Sequence, residues 1–438
     1  MDRQLKELVK ECYNDYLTKK SKYETAYNYY KGKTHAIEQY KMVTERSNNK
    51  CNVNFVKKFV KEETAYSVGN AINYISKSGD KKVIDTIEYY ITSSWKANND
   101  TKLASKMILF GEAYEIYYVN ENLEFKSRII DPRHGYYYED ETTEEKLFLH
   151  AFKKKFDKSG KTYIDVYTKD CIYHLDDTFG VEIKPPTTHI FNEVPVGIAK
   201  ISDEGIEDTI FNDIKGLQDS YETCLSDIVN EISDFRNAYL KMVGVQLDED
   251  TAKEMKKMGI LQVPEGGNVE WVIKNINDSF IQNTLATLEG KMYELTSHIN
   301  HNVNVVSNIS GVALRSRLLS LEQRCVLNQQ AFTELLKVRL RLLFKLLNAR
   351  VNINLDYKDV KIKYTACVPQ DDQTTANLIN QLGDKLSLET ALSLLSFIEN
   401  PEIEAQKVKE QQEIYMKDSE LLEGTGEGEE LEEFTRVI

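Results

Sequence analysis

Apolar side chains recur at the spacing of an α-helix over one long stretch in the middle of the chain. Ten apolar positions from Ile206 to Tyr239 span 33 residues in nine steps, or 3.67 residues per step, which is close to one helical turn. At 1.5 Å per residue this spacing predicts a single helix of about 50 Å over 203–239. The other faces carry ten carboxylates against Lys215 and Arg236. A narrow apolar stripe between acidic faces is typical of a helix that packs against one neighbouring helix and exposes the rest.

The segments on either side of this helix differ in the secondary structure that they predict. Residues 1–75 have helical spacing, and short β-like runs separated by turn residues over about 105–200 predict an antiparallel β subdomain. A compact insertion containing glycine, proline and a strand-like run is expected at 240–276. Two further helices are expected at 278–303 and 312–349, and the second is basic. The predicted fold class is α+β.

The C-terminal part alternates short elements with polar sequence. A strand-like run at 360–364 precedes shorter helical patterns that extend to about 416. From Asp418 the chain is rich in glycine and glutamate, a composition typical of disorder.

The overall charge is acidic, with 56 Lys and Arg against 70 Asp and Glu, or −14. Because non-specific affinity for nucleic acid comes from Lys and Arg, such a chain is a poor binder of phosphates. No apolar run approaches the roughly 20 residues of a membrane span. The first residues lack the apolar core of a signal peptide, so we expect a cytosolic protein without membrane contact.

The motifs of common enzymes and metal sites do not occur in this sequence. It contains no CxxC pair, GxxxxGK[ST] loop, GxSxG, HExxH or EF-hand loop. His298 and His301 stand three residues apart and leave open a weak metal-site alternative. Asp131, Glu139 and Asp140 leave open a second one, a metal-dependent nuclease. We expect a non-enzymatic assembly protein without metal or cofactor.

Several segments, taken in order along the chain, carry a family resemblance. Residues 29–34 (YYKGKT) resemble a YYxGK turn, 110–115 (FGEAYE) a G-x-A-Y-E step into β structure, and 310–324 an SGxAL[KR]…LEQ[RK] signature. Residues 392–402 are similar to a crown segment. Further matches lie at 54–74, 130–132 and 192–196. Within 54–74, Ala71 stands where the family pattern usually has proline. Together these segments cover residues 25–415 and resemble the portal protein of tailed double-stranded DNA bacteriophages of the long-tailed type.

This resemblance implies a ring, usually of twelve subunits, at one vertex of the capsid. Such a ring is a channel for double-stranded DNA during packaging and ejection and has no catalytic activity. The implied partners are other copies of the chain, the DNA, the terminase large subunit, the head–tail adaptor, and the major capsid and scaffolding proteins. The implied location is the virion, after assembly in the host cytoplasm.

The resemblance also implies how the chain is divided. The expected parts are N-terminal helices and a β-containing wing at 1–202, a first stem helix at 203–239, a clip at 240–276, a second stem helix at 277–303, a tunnel loop at 304–311, a long helix crossing the wing with its return strand at 312–369, a helical crown at 370–416, and an acidic tail at 417–438.

Three sets of residues are the expected functional sites. DNA must slide without sticking, and carboxylates facing the channel would prevent a grip on the phosphates. The candidate channel-facing carboxylates of the stem are Asp219, Glu222, Asp227, Glu231 and Asp234. The residues expected in the tunnel loop near DNA are Val306, Ser307, Asn308, Ile309, Ser310 and Gly311. The expected docking surface on the clip comprises Glu265, Gly266, Gly267 and Trp271.

Several alternatives stay open at this point. The acidic stem could be an ordinary solvated helix face, and 307–310 a plain connector. The basic helix at 312–349 is expected to pair with acidic faces of neighbouring subunits in preference to DNA phosphates. A head–tail connector ring that never contacts the packaging motor is the main rival function.

Overall fold

The computed structural model describes most of the chain. The described residues are 1–41, 47–180, 182–235, 239–243, 250, 253, 268–272, 278–300, 311–365, 372–395, 398 and 404–412. Contacts within the chain form two compact units, Met1–Cys367 and Val368–Ile438. Within the described residues, no helix is both long and apolar enough to cross a lipid bilayer.

Helices supply most of the first unit. They are α1 (Arg3–Tyr30), α2 (His35–Gln39), α3 (Phe55–Val68), α4 (Lys81–Ile87), α5 (Asn99–Phe110), α6 (Ile210–Phe235), α7 (Asp278–Leu295) and α8 (Gly311–Val351), with a π-helical turn at Glu88–Thr92 and 3-10 turns at Gly205–Asp208 and Tyr357–Asp359. Side chains that accept backbone N–H groups mark their starts: Asp2 accepts from Leu5 at 2.8 Å and Asn54 from Lys57 at 2.9 Å.

The strands of the first unit pair antiparallel throughout their described length. They are β1 (Asn73–Ser76), β2 (Glu112–Val119), β3 (Phe125–Ile130), β4 (Gly135–Glu139), β5 (Lys146–Phe152), β6 (Tyr163–Tyr167), β7 (Cys171–Asp176), β8 (Lys184–Thr188), β9 (Val196–Lys200), β10 (Tyr239–Val243), β11 (Asn268–Val272) and β12 (Val360–Lys363). Their order is β3-β2-β9 in one sheet and β4-β5-β6-β7-β8 in another, and β1 pairs with β12 and β10 with β11. The predicted antiparallel β structure and the α+β class are confirmed.

The main core joins helices that are distant in sequence. Phe59 of α3, Leu103 of α5, Ile210 of α6 and Phe332 of α8 all lie in one cluster with no exposed surface. The first half of α1 instead covers the five-stranded sheet, where Val9 packs among residues such as Leu149 and Ile164.

Gly111 connects α5 to β2 and explains the glycine of the FGEAYE segment. Its φ is +82°, and a Cβ at this position would lie 2.3 Å from the Gly205 carbonyl oxygen. Both the left-handed backbone and the close approach require glycine. The turn places β2 directly after α5 and brings Gly111 against Gly205.

The predicted helix over 203–239 is wrong at both ends. Gly205 has a φ of +57° and opens a 3-10 turn, Thr209 is extended, and α6 begins at Ile210. The helix has 26 residues, or about 39 Å. Tyr239 lies in β10, where it pairs with Val272 of β11. An apolar residue at helical spacing can also belong to a strand that follows the helix, and the apolar period alone did not distinguish the helix from the strand.

The predicted helix at 278–303 is also shorter. It ends at Leu295 because Ser297 has a φ of +60°, and the His298 N–H returns to the Tyr293 carbonyl at 3.0 Å. The long basic helix, by contrast, extends over Gly311–Val351 much as predicted.

The second unit contains short helices in its described residues. These are α9 (Asp372–Leu382), a 3-10 turn at Gly383–Lys385, and α10 (Leu388–Ser393), and residues 404–412 are also helical. Ser387 caps α10 by accepting the Thr390 N–H at 3.3 Å. The boundary between the units at Val368 lies close to the expected start of the crown at 370.

Candidate functional site

The region expected to form the stem contains two helices with a pair of strands between them in sequence. Helices α6 and α7 pack against each other, and β10 and β11 form a two-stranded antiparallel sheet. On the apolar stripe of α6, Ile210 and Ile214 have no exposed surface. Farther along, Leu225 is half-buried and Ile232 is 57% exposed. The apolar stripe is therefore covered at the start of α6 and open near its end.

A second face of α6 is buried although it is polar. Gln218, Glu222, Ser226 and Asn230 stand four residues apart, and each is 0% exposed. We call these four residues the polar ladder. They face an extended segment, residues 47–54, which we call the strap. Nothing in the apolar period of α6 requires this second buried face.

The polar ladder binds the backbone of the strap rung by rung. Asn230 accepts the Asn49 N–H at 2.6 Å, Ser226 the Cys51 N–H at 2.9 Å and Glu222 the Val53 N–H at 2.9 Å. Gln218 accepts the Val56 N–H at 3.3 Å, just inside α3.

The spacing of the two partners explains the match. Four residues of helix rise about 6 Å, and two residues of extended chain advance about 6.6 Å. The acceptor side chains on this face of α6 therefore match the spacing of alternate N–H groups in the strap, as the carbonyl groups of a neighbouring β-strand would. The strap extends in the direction opposite to α6, and the polar ladder accepts the alternate N–H groups of Asn49, Cys51 and Val53.

Glu222 is the most heavily bonded rung. Besides the Val53 N–H, its carboxylate accepts the Asn52 side-chain amide at 2.8 Å and the Thr34 hydroxyl. Burial raises the pKa of Glu222, and hydrogen bonds from Thr34 and Val53 offset only part of that effect. With no exposed surface, Glu222 faces no channel. Its place among the channel-facing carboxylates was wrong because that prediction treated every face outside the apolar stripe as solvated.

The other four carboxylates of that set differ in exposure. Asp219 is half-buried and accepts the Tyr29 hydroxyl at 2.6 Å. Asp227 is exposed and accepts the Tyr40 hydroxyl at 2.7 Å. Glu231 is half-buried, and Asp234 lies in the last turn of α6. Among the members whose side chains the structure describes, Asp227 combines exposure with a hydrogen-bonded position.

Most residues of the expected tunnel loop and clip surface lie outside the described part. These are Val306, Ser307, Asn308, Ile309, Ser310, Glu265, Gly266 and Gly267. Gly311 is the first residue of α8, and Trp271 lies in β11 opposite Leu240 of β10.

The first positively charged side chain that the structure describes on α8 is tied to the subunit's own acids. The Arg324 guanidinium lies 3.0 Å from the Glu63 carboxylate of α3 and 3.7 Å from Asp213 of α6. Glu63 is 1% exposed and also accepts a hydrogen bond from Asn328. Arg324 therefore links α8 to both α3 and α6.

A buried ion cluster fixes the middle of α8. Arg339 is 0% exposed and contacts Glu115 at 2.8 Å, also 0% exposed, and Asp100 at 2.7 Å. Its guanidinium lies over the Trp95 ring at 5.0 Å. The Glu115 carboxylate also accepts the Tyr117 hydroxyl at 2.7 Å. This cluster joins α5, β2 and α8.

Three further cations near the end of α8 are paired with acids of the same chain. Arg341 lies 2.6 Å from Glu193, Lys345 contacts the same carboxylate, and Lys337 lies 2.7 Å from Glu334. Arg350 instead donates to the Leu123 backbone carbonyl at 2.7 Å. The pairing of this helix with acids of neighbouring subunits stays a prediction.

The carboxylates considered for a nuclease serve other contacts. Asp131 is 4% exposed and bonded to Lys106 at 2.6 Å and Arg133 at 2.9 Å. Although burial raises its pKa, these partners lower the pKa of Asp131 to about 2. Glu139 pairs with Lys146 at 2.6 Å, and Asp140 accepts two backbone N–H groups of its own turn. In the part of the chain that the structure describes, no three His, Cys, Asp or Glu side chains converge as metal ligands.

His298, the other metal candidate, is a buried side chain within the core. Its Nε2 lies 3.1 Å from the Phe59 carbonyl and its Nδ1 2.8 Å from the Thr296 carbonyl. Burial lowers the pKa of His298 to about 4. His301 lies outside the described residues.

Comparison with known proteins identifies the family of the chain. A family model described as phage portal protein, SPP1 Gp6-like, matches residues 9–418. The portal protein of Bacillus phage SPP1 is 22% identical over 422 residues, which cover 89% of this chain and 81% of that protein.

Among solved structures, the neck of an empty gene transfer agent particle with C6 symmetry aligns at a TM-score of 0.49 and 12% identity, covering 78% of this chain and 89% of that chain. The native particle's neck with C12 symmetry aligns at 0.48 and 10%, with the same coverage. The family match extends over nearly the whole chain. The chain belongs to the SPP1 Gp6-like family of phage portal proteins.

Proposed function

We propose that this portal protein forms a ring, usually of twelve subunits, at one capsid vertex, and that double-stranded DNA passes through it during packaging and ejection. The single observation that carries the proposal is the match of the portal family over residues 9–418. The expected stem supports it: two packed helices flank, in sequence, an insertion with a pair of antiparallel strands, which fits the family plan.

The parts of the ring follow the expected division of the chain. The wing comprises 1–202 and its sheets, the stem α6 and α7, the clip 240–276, the tunnel loop 304–311 and the crown 370–416. In this proposal the tunnel loop lies nearest the DNA. The clip, including Glu265, Gly266, Gly267 and Trp271, docks the terminase large subunit and later the head–tail adaptor.

Charge gives the stem its role in this proposal. Fixed cations on a channel wall would bind phosphates through counterion release and slow translocation. Arg324, Arg339 and Arg341 of α8 are paired with acids of the same subunit, and α6 presents exposed Asp227. Repulsion between carboxylates and phosphates reaches about 8 Å at physiological salt, so it centres the DNA without excluding it. The ring needs no cofactor and catalyses no reaction.

Two measurements test this function. Native mass spectrometry and axial views by negative-stain microscopy should show closed rings, and particles assembled without the protein should contain no packaged DNA. A chain that stays monomeric at all concentrations overturns the proposal. The connector alternative would instead be supported if the rings connect the capsid head to the tail and if DNA is packaged normally without this protein.

A further inference from the structure

Helix α8 has one face that the described chain leaves uncovered. Leu319 is 51% exposed, Val326 49% and Leu327 59%. The opposite face is packed inward: Leu321 is 7% exposed and Asn328 2%. Apolar side chains clustered on one exposed helix face, unlike those scattered singly over a surface, mark an interaction site.

These side chains form a continuous strip along the helix. At 100° per residue, Leu319, Gln323, Val326 and Gln330 fall within an arc of about 60°, and Leu327 lies beside it. We call these five residues the outer strip. Its length over 11 residues is about 17 Å.

The outer strip carries no charge in a chain whose residues are 29% charged. Arg324, the cation within positions 319–330, contacts Glu63 and Asp213 on other helices. Beyond its C-terminal end, Glu334 and Lys337 neutralise each other at 2.7 Å. The central part of a protein–protein interface is typically depleted of charge in this way.

The charge of the chain decides which occupant fits the strip. Copies of this chain each carry −14 and repel one another, so their contact is favoured where the surface is uncharged. Nucleic acid is a poor fit because the strip offers no cation for phosphates. In a closed ring the contact is head to tail, so the strip would meet a different surface on the next copy.

We propose that the outer strip of α8 is a contact surface for the neighbouring copy of this chain in the ring. This inference rests on the proposed ring and names the part of the subunit that closes it. The double variant Val326→Glu/Leu327→Glu places two carboxylates in that contact. We expect it to stay at the monomer mass of 50.6 kDa at concentrations where the unmodified protein is fully assembled, requiring at least a tenfold higher concentration to form rings.

A matched control separates the contact from a general effect of charge. Phe156 lies between β5 and β6 and is 88% exposed, so Phe156→Glu makes the same type of change away from the strip. This variant should assemble normally. Circular dichroism and the melting temperature of all variants should match the unmodified protein, since the altered side chains lie on the surface.

A photo-crosslinking side chain at position 327 identifies the occupant directly. Products at twice the chain mass, formed only when rings are present, support the proposal. The contact proposal is overturned if the crosslinks are confined to the chain's own residues 368–438. It is also overturned if the double variant forms intact rings at unchanged concentration. Neither result contradicts the proposed ring. Failure of the unmodified protein to form any ring overturns both this inference and the proposed function.

Discussion

The Glu222 carboxylate of α6 accepts the Val53 backbone N–H at 2.9 Å, across 169 residues of sequence. Through this bond and the other rungs of the polar ladder, the strap is fixed along the stem helix. The stem is thereby attached to the N-terminal helices by backbone hydrogen bonds, which do not depend on the identity of the strap's side chains.

Removing the central rung should destabilise the protein. Glu222→Ala removes the acceptor of the part-buried Val53 N–H and of the buried Thr34 hydroxyl, while the Asn52 amide keeps the Gly32 carbonyl as an acceptor. A buried group left unsatisfied costs about 1–3 kcal/mol, so we expect a loss of about 2–4 kcal/mol in the free energy of unfolding by urea denaturation. Glu222→Gln keeps an acceptor oxygen and should lose less than about 1 kcal/mol. Equal stability of the alanine variant and the unmodified protein would contradict the role of the ladder.

The buried Arg339 should be far more sensitive than the half-exposed Arg341. Arg339→Met leaves Glu115 charged and buried, which costs about 3–5 kcal/mol. Arg341→Met removes a partly exposed pair with Glu193 and should cost at most about 1 kcal/mol. The double variant Arg339→Met/Glu115→Gln removes both charges and should recover part of the loss. Chemical denaturation of the four proteins tests this order, and a double variant less stable than Arg339→Met would contradict it.

Asp131 should make stability depend on acidic pH. Its folded-state pKa of about 2 lies below the ordinary 3.8, so its ionised form stabilises the fold above pH 3.8, and this contribution is lost as the pH falls toward 2. The shift corresponds to about 2 kcal/mol. The stability difference between the unmodified protein and Asp131→Asn should therefore shrink between pH 6 and pH 2.5. The exposed Asp203, changed to Asn, serves as control, and a difference independent of pH would refute the assignment.

A cation on the stem should make the ring hold DNA. Asp227→Lys converts an exposed carboxylate into a phosphate ligand in every subunit, so affinity for double-stranded DNA should rise most at low salt and fall steeply with added salt. Fluorescence anisotropy across a salt series measures both. Glu121→Lys, an equal charge change in the turn between β2 and β3, should leave the affinity within about twofold. The same gain in both variants would place Asp227 away from the DNA path.

Sequence periodicity predicted the elements whose signals are local. The long helix α8, the antiparallel strands between 112 and 200 and the strand β11 lie close to the expected positions. The ends of α6 and α7 were missed, because Gly205 and Ser297 adopt positive φ values that apolar spacing does not encode. One signal for the polar ladder was present and overlooked: Gln218, Glu222, Ser226 and Asn230 repeat every four residues, the spacing of one helix face.

The amino-acid sequence by itself determined the family, the acidic charge and the period that makes α6 a helix, since each depends on residues in one segment or on their sum. Only the tertiary structure decided that Glu222 is enclosed by the strap and that Arg339 is neutralised by Glu115 and Asp100. Burial and ion pairing depend on partners far apart in sequence, 169 residues away for Glu222 and 224 for Arg339. The sequence of a helix does not show whether solvent or a backbone amide lies opposite a carboxylate.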